Sequence, residues 1–179
     1  MNKNFKKLFL LDNNVTYLNH GSFGACPKVT MDQYFKIQKN LEKQPIDFLA
    51  NNIDYELKKA REALSSYVDC ESDNLVFFPN PSTAINMVAK SLDINKHDEI
   101  LTTSHEYGAL VKMWKFICNQ NKAKYIEFDP ILPLQSKSDF LEGFFNNITD
   151  KTKIIFISHI TSATALIFPV KEICNEARK

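Results

Sequence analysis

Three short polar segments hold the side chains best suited to chemistry, and each follows an apolar run. The first is Asn80-Pro81-Ser82-Thr83, directly after Leu75-Val76-Phe77-Phe78. Asn80 is a natural helix cap, and Pro81 suits the first helical position, where its missing N–H costs nothing. Ser82 and Thr83 then offer hydroxyls and backbone N–H groups at a positive helix end, an arrangement that suits a phosphate ester. The helix dipole adds only about 0.3 to 2 kcal/mol, enough to orient such a group but not to hold it alone. The same residues also make an ordinary capped helix.

The second segment, Ser104-His105-Glu106-Tyr107, follows Glu99-Ile100-Leu101-Thr102. His105 and Tyr107 can each turn a ring toward a flat heterocycle, with stacking worth roughly 0.5 to 1.5 kcal/mol. Equally, Tyr107 can anchor the start of a helix and His105 can sit in a surface loop. The third segment, Ser158 to Thr164, is rich in hydroxyls and follows Ile154-Ile155-Phe156-Ile157. In an open parallel sheet, ligands collect beyond the carboxyl ends of the strands, so three such ends converging on one edge outline a site. Asn19 and His20 form a further candidate in the turn Asn19 to Gly24. They reach a substrate if the arm before them folds back; otherwise they make a local turn in which Gly21 and Gly24 take unusual backbone angles.

The elements that must position these groups alternate. Val15 to Leu18 is strand-like, a helix runs from Pro27 to about Lys43, and Gln44-Pro45 ends it. Leu57, Ala60, Leu64 and Tyr67 give Asp54 to Val68 a helical stripe that should pack, with Lys58, Lys59 and Glu62 toward water. From Leu75 onward strands and helices alternate. Strands are expected at 75–78, 99–102, 124–128 and 154–157, and helices after Asn80, through Leu110, Trp114 and Ile117, after Ser136, and from Val170. Ser136 and Asp139 begin the third of these helices as an acidic variant of a capping box. This order requires an α/β fold of three layers, a mostly parallel sheet with helices on both faces. The last helical stripe, Val170, Ile173, Cys174 and Ala177, runs to Lys179 without a glycine stop. An open sheet edge near Ile154 to Ile157 and an uncovered helical face near Ile173 are therefore expected.

Bulk properties narrow the function. The 179 residues suit one compact domain, and 22 Lys and Arg against 21 Asp and Glu leave a formal charge of +1. Such a balance implies neither a nucleic acid nor a membrane partner. Lys3, Lys6 and Lys7 precede only a short apolar run, with no cleavage pattern of small residues. Cys26, Cys70, Cys118 and Cys174 lie 44, 48 and 56 positions apart, which matches no metal motif or dense disulfide framework and fits the cytoplasm. No metal site is expected. Glycine-rich phosphate loops, the dinucleotide fingerprint and the serine-hydrolase elbow are all absent from the sequence.

In that order, the stretches YLNHGSFGACP (17–27), NPSTAIN (80–86), HEYGA (105–109), SHITSATA (158–165) and FPV (168–170) resemble the class V aminotransferase family. Within it they are most similar to the isopenicillin N epimerase-like group, related to cysteine desulfurases. The resemblance implies pyridoxal 5'-phosphate (PLP) as cofactor, an amino-acid-type substrate, and a homodimer with sites at the subunit boundary. Residues 1–50 then form an arm, glycine turn and helix, and residues 51–179 the front part of an incomplete PLP-dependent transferase-like large domain.

Carried over by position, Ser82 and Thr83 hold the cofactor phosphate, Tyr107 lies against the pyridine, Ser162 lies near the cofactor hydroxyl, and Asn19 and His20 approach substrate. Pro81 and Ser82 replace the more usual Ala-Thr. Ala165 replaces a glycine, at a cost of about 1 to 2 kcal/mol if that position needs a positive φ. The family's pyridine-facing aspartate and imine-forming lysine come after Val170 and are not matched here, and Lys179 does not stand in for that lysine. No catalytic residue is assigned, and no turnover is expected from this chain alone. The alternative is a non-catalytic binding or pairing module of the same descent, complemented in trans by a C-terminal segment.

Overall fold

The computed structural model describes residues 5–179. Met1 to Asn4, the start of the expected arm and with them Lys3, lie outside the described residues. The chain divides into two compact units, one through Val76 and the other Phe77–Lys179.

The first unit is helical. A 3-10 turn, Phe5–Leu8, precedes α1 (Lys28–Lys43), which stops where Gln44 leaves helical angles at φ −150° and ψ 77° ahead of Pro45. The proline disfavours a helical residue before it but suits the first position of the next turn, α2 (Pro45–Asp47). A π-helical turn, Phe48–Asn52, runs into α3 (Ile53–Val68), which ends with Asp69 in the left-handed region at φ 56°. Two expectations fail here. Val15 to Leu18 forms no strand, and Leu18 is 88% exposed. The α3 stripe is not covered either: Leu57, Leu64 and Tyr67 are exposed, and only Ser65 of that helix is buried. Helical spacing creates an apolar stripe, but a partner surface is needed to bury it.

The second unit is built on three parallel strands: β1 (Glu99–Thr103), β2 (Lys124–Phe128) and β3 (Thr152–Ile155), in the order β2-β1-β3. Around them stand α4 (Pro81–Ser91), α5 (Gly108–Asn121), α6 (Lys137–Phe145) and α7 (Val170–Ala177). The central strand is buried along its whole length. Its alternation sends Ile100 to a core shared with Ala89 of α4 and Leu110, Trp114 and Ile117 of α5, and Leu101 to a second core with Phe140 and Phe144 of α6 and Ile173 of α7. Helices thus cover both faces, giving the three-layer α/β fold. The second core is aromatic, with the Phe140 and Phe168 rings stacked at 4.6 Å.

Leu75 to Phe78 was expected as a strand covered on both faces. It pairs with no strand among the described residues and leaves Val76 73% and Phe77 50% exposed. An apolar run looks the same in sequence whether or not a neighbouring strand exists, and none of the three strands lies beside this one. β3 begins two residues earlier than expected. It is an edge strand, so the open edge is present, but Ile173 is only 2% exposed under the phenylalanine cluster, and the helical stripe is covered there and exposed at Cys174 and Ala177.

Ion pairs close the amino end of this sheet. Glu99 receives the Thr149 hydroxyl at 2.6 Å and Lys124 at 3.5 Å, while Lys153 pairs with Asp98 at 3.1 Å and donates to the Asp93 carbonyl just after α4. α4 therefore ends at the amino edge. Its 11 residues span about 16 Å, close to the length of a five-residue strand, so it is long enough to carry its first turn to the carboxyl side.

Candidate functional site

α4 opens as its sequence dictates. Asn80 is extended, at φ −164° and ψ 161°, and its Oδ1 accepts the Thr83 N–H at 2.9 Å. The Thr83 hydroxyl donates to the same oxygen at 3.1 Å, and the Ala84 N–H donates to the Asn80 carbonyl at 3.3 Å. Both donors of Thr83 are thus turned onto the cap. Ser82 is placed differently: its carbonyl accepts from Asn86 at 2.8 Å, and its N–H lies at the second helical position, where the helix supplies no carbonyl partner. The proline at position 81 removes one N–H, so Ser82 is the first donor a ligand at this helix end would meet.

The loop after β1 leads into α5, whose cap is Tyr107 at φ −62° and ψ 124°. Tyr107 is 53% exposed at the helix start. His105 is turned the other way. Its Nδ1 lies 3.2 Å from the Thr164 hydroxyl, and its ring meets Phe168 edge-on at 6.4 Å. Ser104 bonds to the Asp129 carboxylate beyond β2.

Between His105 and Tyr107, Glu106 is buried at 8% exposure. Its Oε1 accepts the Thr103 hydroxyl at 3.0 Å and the Ser158 N–H at 2.9 Å, and its Oε2 accepts the Ser158 hydroxyl at 2.5 Å. Reading by residue type passed over Glu106. The available signal was a carboxylate three residues after Thr103, at the end of a buried strand, in a chain whose next strand ends in a hydroxyl run.

The loop after β3 is narrow, with Ile160 and Ile167 bridged and Thr161 2% exposed. The Thr161 hydroxyl accepts the Leu166 N–H at 3.0 Å and lies 2.7 Å from the Thr164 hydroxyl. Ala165 stands at φ 55°. The expected left-handed position is therefore real, and it is occupied by a residue with a Cβ. Ser162 is exposed at the tip. Of the three polar segments, those after β1 and β3 leave the carboxyl edge of this sheet, whereas the first opens α4 and follows no strand among the described residues.

In the helical unit, Asn19 and His20 form a self-contained turn. The Phe23 N–H donates to the Asn19 carbonyl at 3.0 Å, the Ala25 N–H reaches His20 Nδ1 at 3.4 Å, and Tyr17 lies edge-on to the His20 ring at 4.9 Å. None of the glycines has a positive φ, so the expected unusual angles at Gly21 and Gly24 are absent. Gly24 has a different reason: a Cβ there would come within 3.1 Å of the His20 carbonyl oxygen.

Residues 25–179 match the aminotransferase class-V family model. The chain belongs to the class-V aminotransferase family. It is 30% identical over 179 residues to isopenicillin N epimerase of Amycolatopsis lactamdurans, covering 98% of this chain and 45% of that protein. With isopenicillin N epimerase of Streptomyces clavuligerus the figures are 31% over 170 residues, 94% and 42%. This class-V chain thus spans less than half the length of these relatives. Among solved structures, a C-DES mutant with glycine covalently linked to its PLP cofactor superposes with a TM-score of 0.82 at 25% identity, covering 93% of this chain and 43% of that one. The cysteine desulfurase CsdA of Escherichia coli gives 0.78 at 18% identity and shares the fold. Among the described residues of this class-V chain, no helix is long and apolar enough to cross a membrane.

Proposed function

We propose that this chain provides the phosphate- and ring-binding part of a PLP-dependent enzyme acting on amino acids, of the isopenicillin N epimerase-like group. The observation that carries the reading is the first turn of α4. Asn80 organises it, Ser82 follows at the second helical position, and the length of α4 is enough to bring this turn toward the edge where Tyr107 and Ser162 emerge. Family membership supplies the cofactor, and the donor set fits it: a helix end with a hydroxyl for a phosphate, an exposed phenol ring for a heterocycle, and a serine hydroxyl for a phenolic oxygen.

In this reading Ser82 donates to the phosphate and Thr83 secures the cap beneath it. The Tyr107 ring fixes the heterocycle plane, and Ser162 meets the ring hydroxyl. Asn19 and His20 belong to the substrate side. Bound PLP supplies an electron sink for carbanion chemistry at the amino acid. The division into residues 1–50 and 51–179, a homodimer or a complementing C-terminal segment as partner, and a cytoplasmic location belong to the same reading. No residue of this chain is assigned proton transfer or imine formation, so turnover by these 179 residues alone is not part of the proposal.

Equilibrium dialysis of the chain against PLP and against pyridoxal tests it. PLP should bind about tenfold or more tightly than pyridoxal, and Ser82→Ala should erase most of that difference. Equal retention of the two, or retention of neither at millimolar concentration, refutes the reading.

A further inference from the structure

We infer that Glu106 is a positioning residue, whose buried carboxylate holds the loop after β1 and the loop after β3 at one separation so that Tyr107 and Ser162 meet the same ligand. The ligand part rests on the proposed PLP reading; the clamp rests on geometry alone. Backbone pairing between the two strands ends where the Phe156 N–H donates to the Leu101 carbonyl at 2.9 Å. Beyond that point, among the described residues, side chains alone join the loops. Glu106 reaches 52 residues along the chain to Ser158, and His105 reaches 59 to Thr164.

The donor set explains why a carboxylate stands there. Thr103 Oγ1, Ser158 N and Ser158 Oγ all present hydrogens to Glu106, which is acceptor-only when ionised and has room for all three. Hydrogen bonds to a charged acceptor are about twice as strong as neutral ones, and burial at 8% exposure keeps water from competing. Tyr107 follows immediately as the cap of α5, so the carboxylate also fixes where that helix starts. In the other direction, Ser158 opens the loop whose tip carries Ser162.

The test uses the 179-residue chain with Glu106→Ala, Glu106→Gln and Ser158→Ala, read by amide hydrogen exchange at Ser158 and Leu166, by PLP dialysis and by thermal melting. Glu106→Ala should speed Ser158 exchange and weaken PLP, each about tenfold. Glu106→Gln should restore both to within about threefold, because its oxygen still accepts and the Ser158 hydroxyl can turn to accept from the amide. Ser158→Ala, which keeps the N–H bond, should shift both in the same direction by about two- to threefold with a smaller drop in the melt than Glu106→Ala, and decides the matter if Glu106→Ala does not fold. Unchanged Ser158 exchange in Glu106→Ala or Ser158→Ala overturns the clamp, as does a Gln variant as impaired as the Ala one. Faster exchange with unaltered PLP affinity overturns its link to the ligand. A wild-type chain that takes up no PLP overturns the functional reading and the ligand part together, and exchange at Ser158 still decides the clamp.

Discussion

The backbone N–H of Ala165 donates to the Thr161 carbonyl at 3.0 Å while Ala165 itself sits at φ 55°. The bond closes the loop after β3 and imposes the left-handed turn on a residue with a Cβ. An L-residue with a side chain pays about 1 to 2 kcal/mol there, and glycine returns part of that gain through its freer unfolded state. Ala165→Gly should therefore stabilise the chain by about 0.5 to 1 kcal/mol in urea denaturation. A loss of stability would mean that the turn carries no strain.

Asn80 separates helix capping from anion binding. Its Oδ1 takes both the N–H and the hydroxyl of Thr83, so Asn80→Ala should cost about 0.5 to 2 kcal/mol. Asn80→Asp keeps an acceptor in the same place and should hold stability within about 0.5 kcal/mol. It also sets a negative charge where the phosphate is proposed to lie, so PLP binding should fall by about tenfold or more with little change in pyridoxal binding. Equal PLP affinity in Asn80→Asp would move the phosphate away from α4.

At the opposite edge, Glu99 has a side chain only 7% exposed. The Thr149 hydroxyl holds its carboxyl below the ordinary glutamate range, with Lys124 adding to the effect against burial. The folded value is depressed, so the unfolded chain takes up the proton first as pH falls. The contribution is present above about pH 4.5 and fades as pH drops through the folded value. Thr149→Val should lower stability at pH 7 by about 1.5 to 3 kcal/mol, the range for a hydrogen bond to a charged group, and by less at pH 3. Melts of both proteins from pH 3 to 7 check this; a constant difference would exclude the coupling.

What the sequence shows clearly is local. The Asn80 cap, the Ser136 cap that accepts from Asp139, and the strand over Glu99 to Thr102 depend on neighbours within a few residues, and all appear as expected. Val15 to Leu18 and Leu75 to Phe78 have strand composition but, among the described residues, no strand pairs with them, and pairing is decided far along the chain. The site divides in the same way. The first turn of α4 and the Tyr107 cap follow from local signals, whereas the bonds from Glu106 to Ser158 and from His105 to Thr164 join residues more than 50 positions apart. The Thr83 hydroxyl shows the finer limit: residue type marks it as a donor, and only the geometry shows that donor spent on Asn80.

Tyr125 offers a test at high pH. Among the described residues its buried hydroxyl oxygen has no hydrogen-bond partner, and its ring lies beside the Lys115 ammonium at 5.0 Å. Burial first, and then the negative charge of Glu127, push its pKa up to about 12. The unfolded chain therefore loses this proton near pH 10 while the folded chain keeps it, and stability falls as pH rises from about 10 toward the folded value. Tyr125→Phe removes that dependence. It also removes a buried polar group that gains nothing in return, so stability at pH 7 should hold or rise by up to about 1 kcal/mol. Absorbance titration near 295 nm should show one tyrosine of the folded wild type ionising late, and that step should be missing from Tyr125→Phe. A variant that loses more than about 1 kcal/mol at pH 7 would show that the hydroxyl is bonded in solution, and the high pKa would then need another cause.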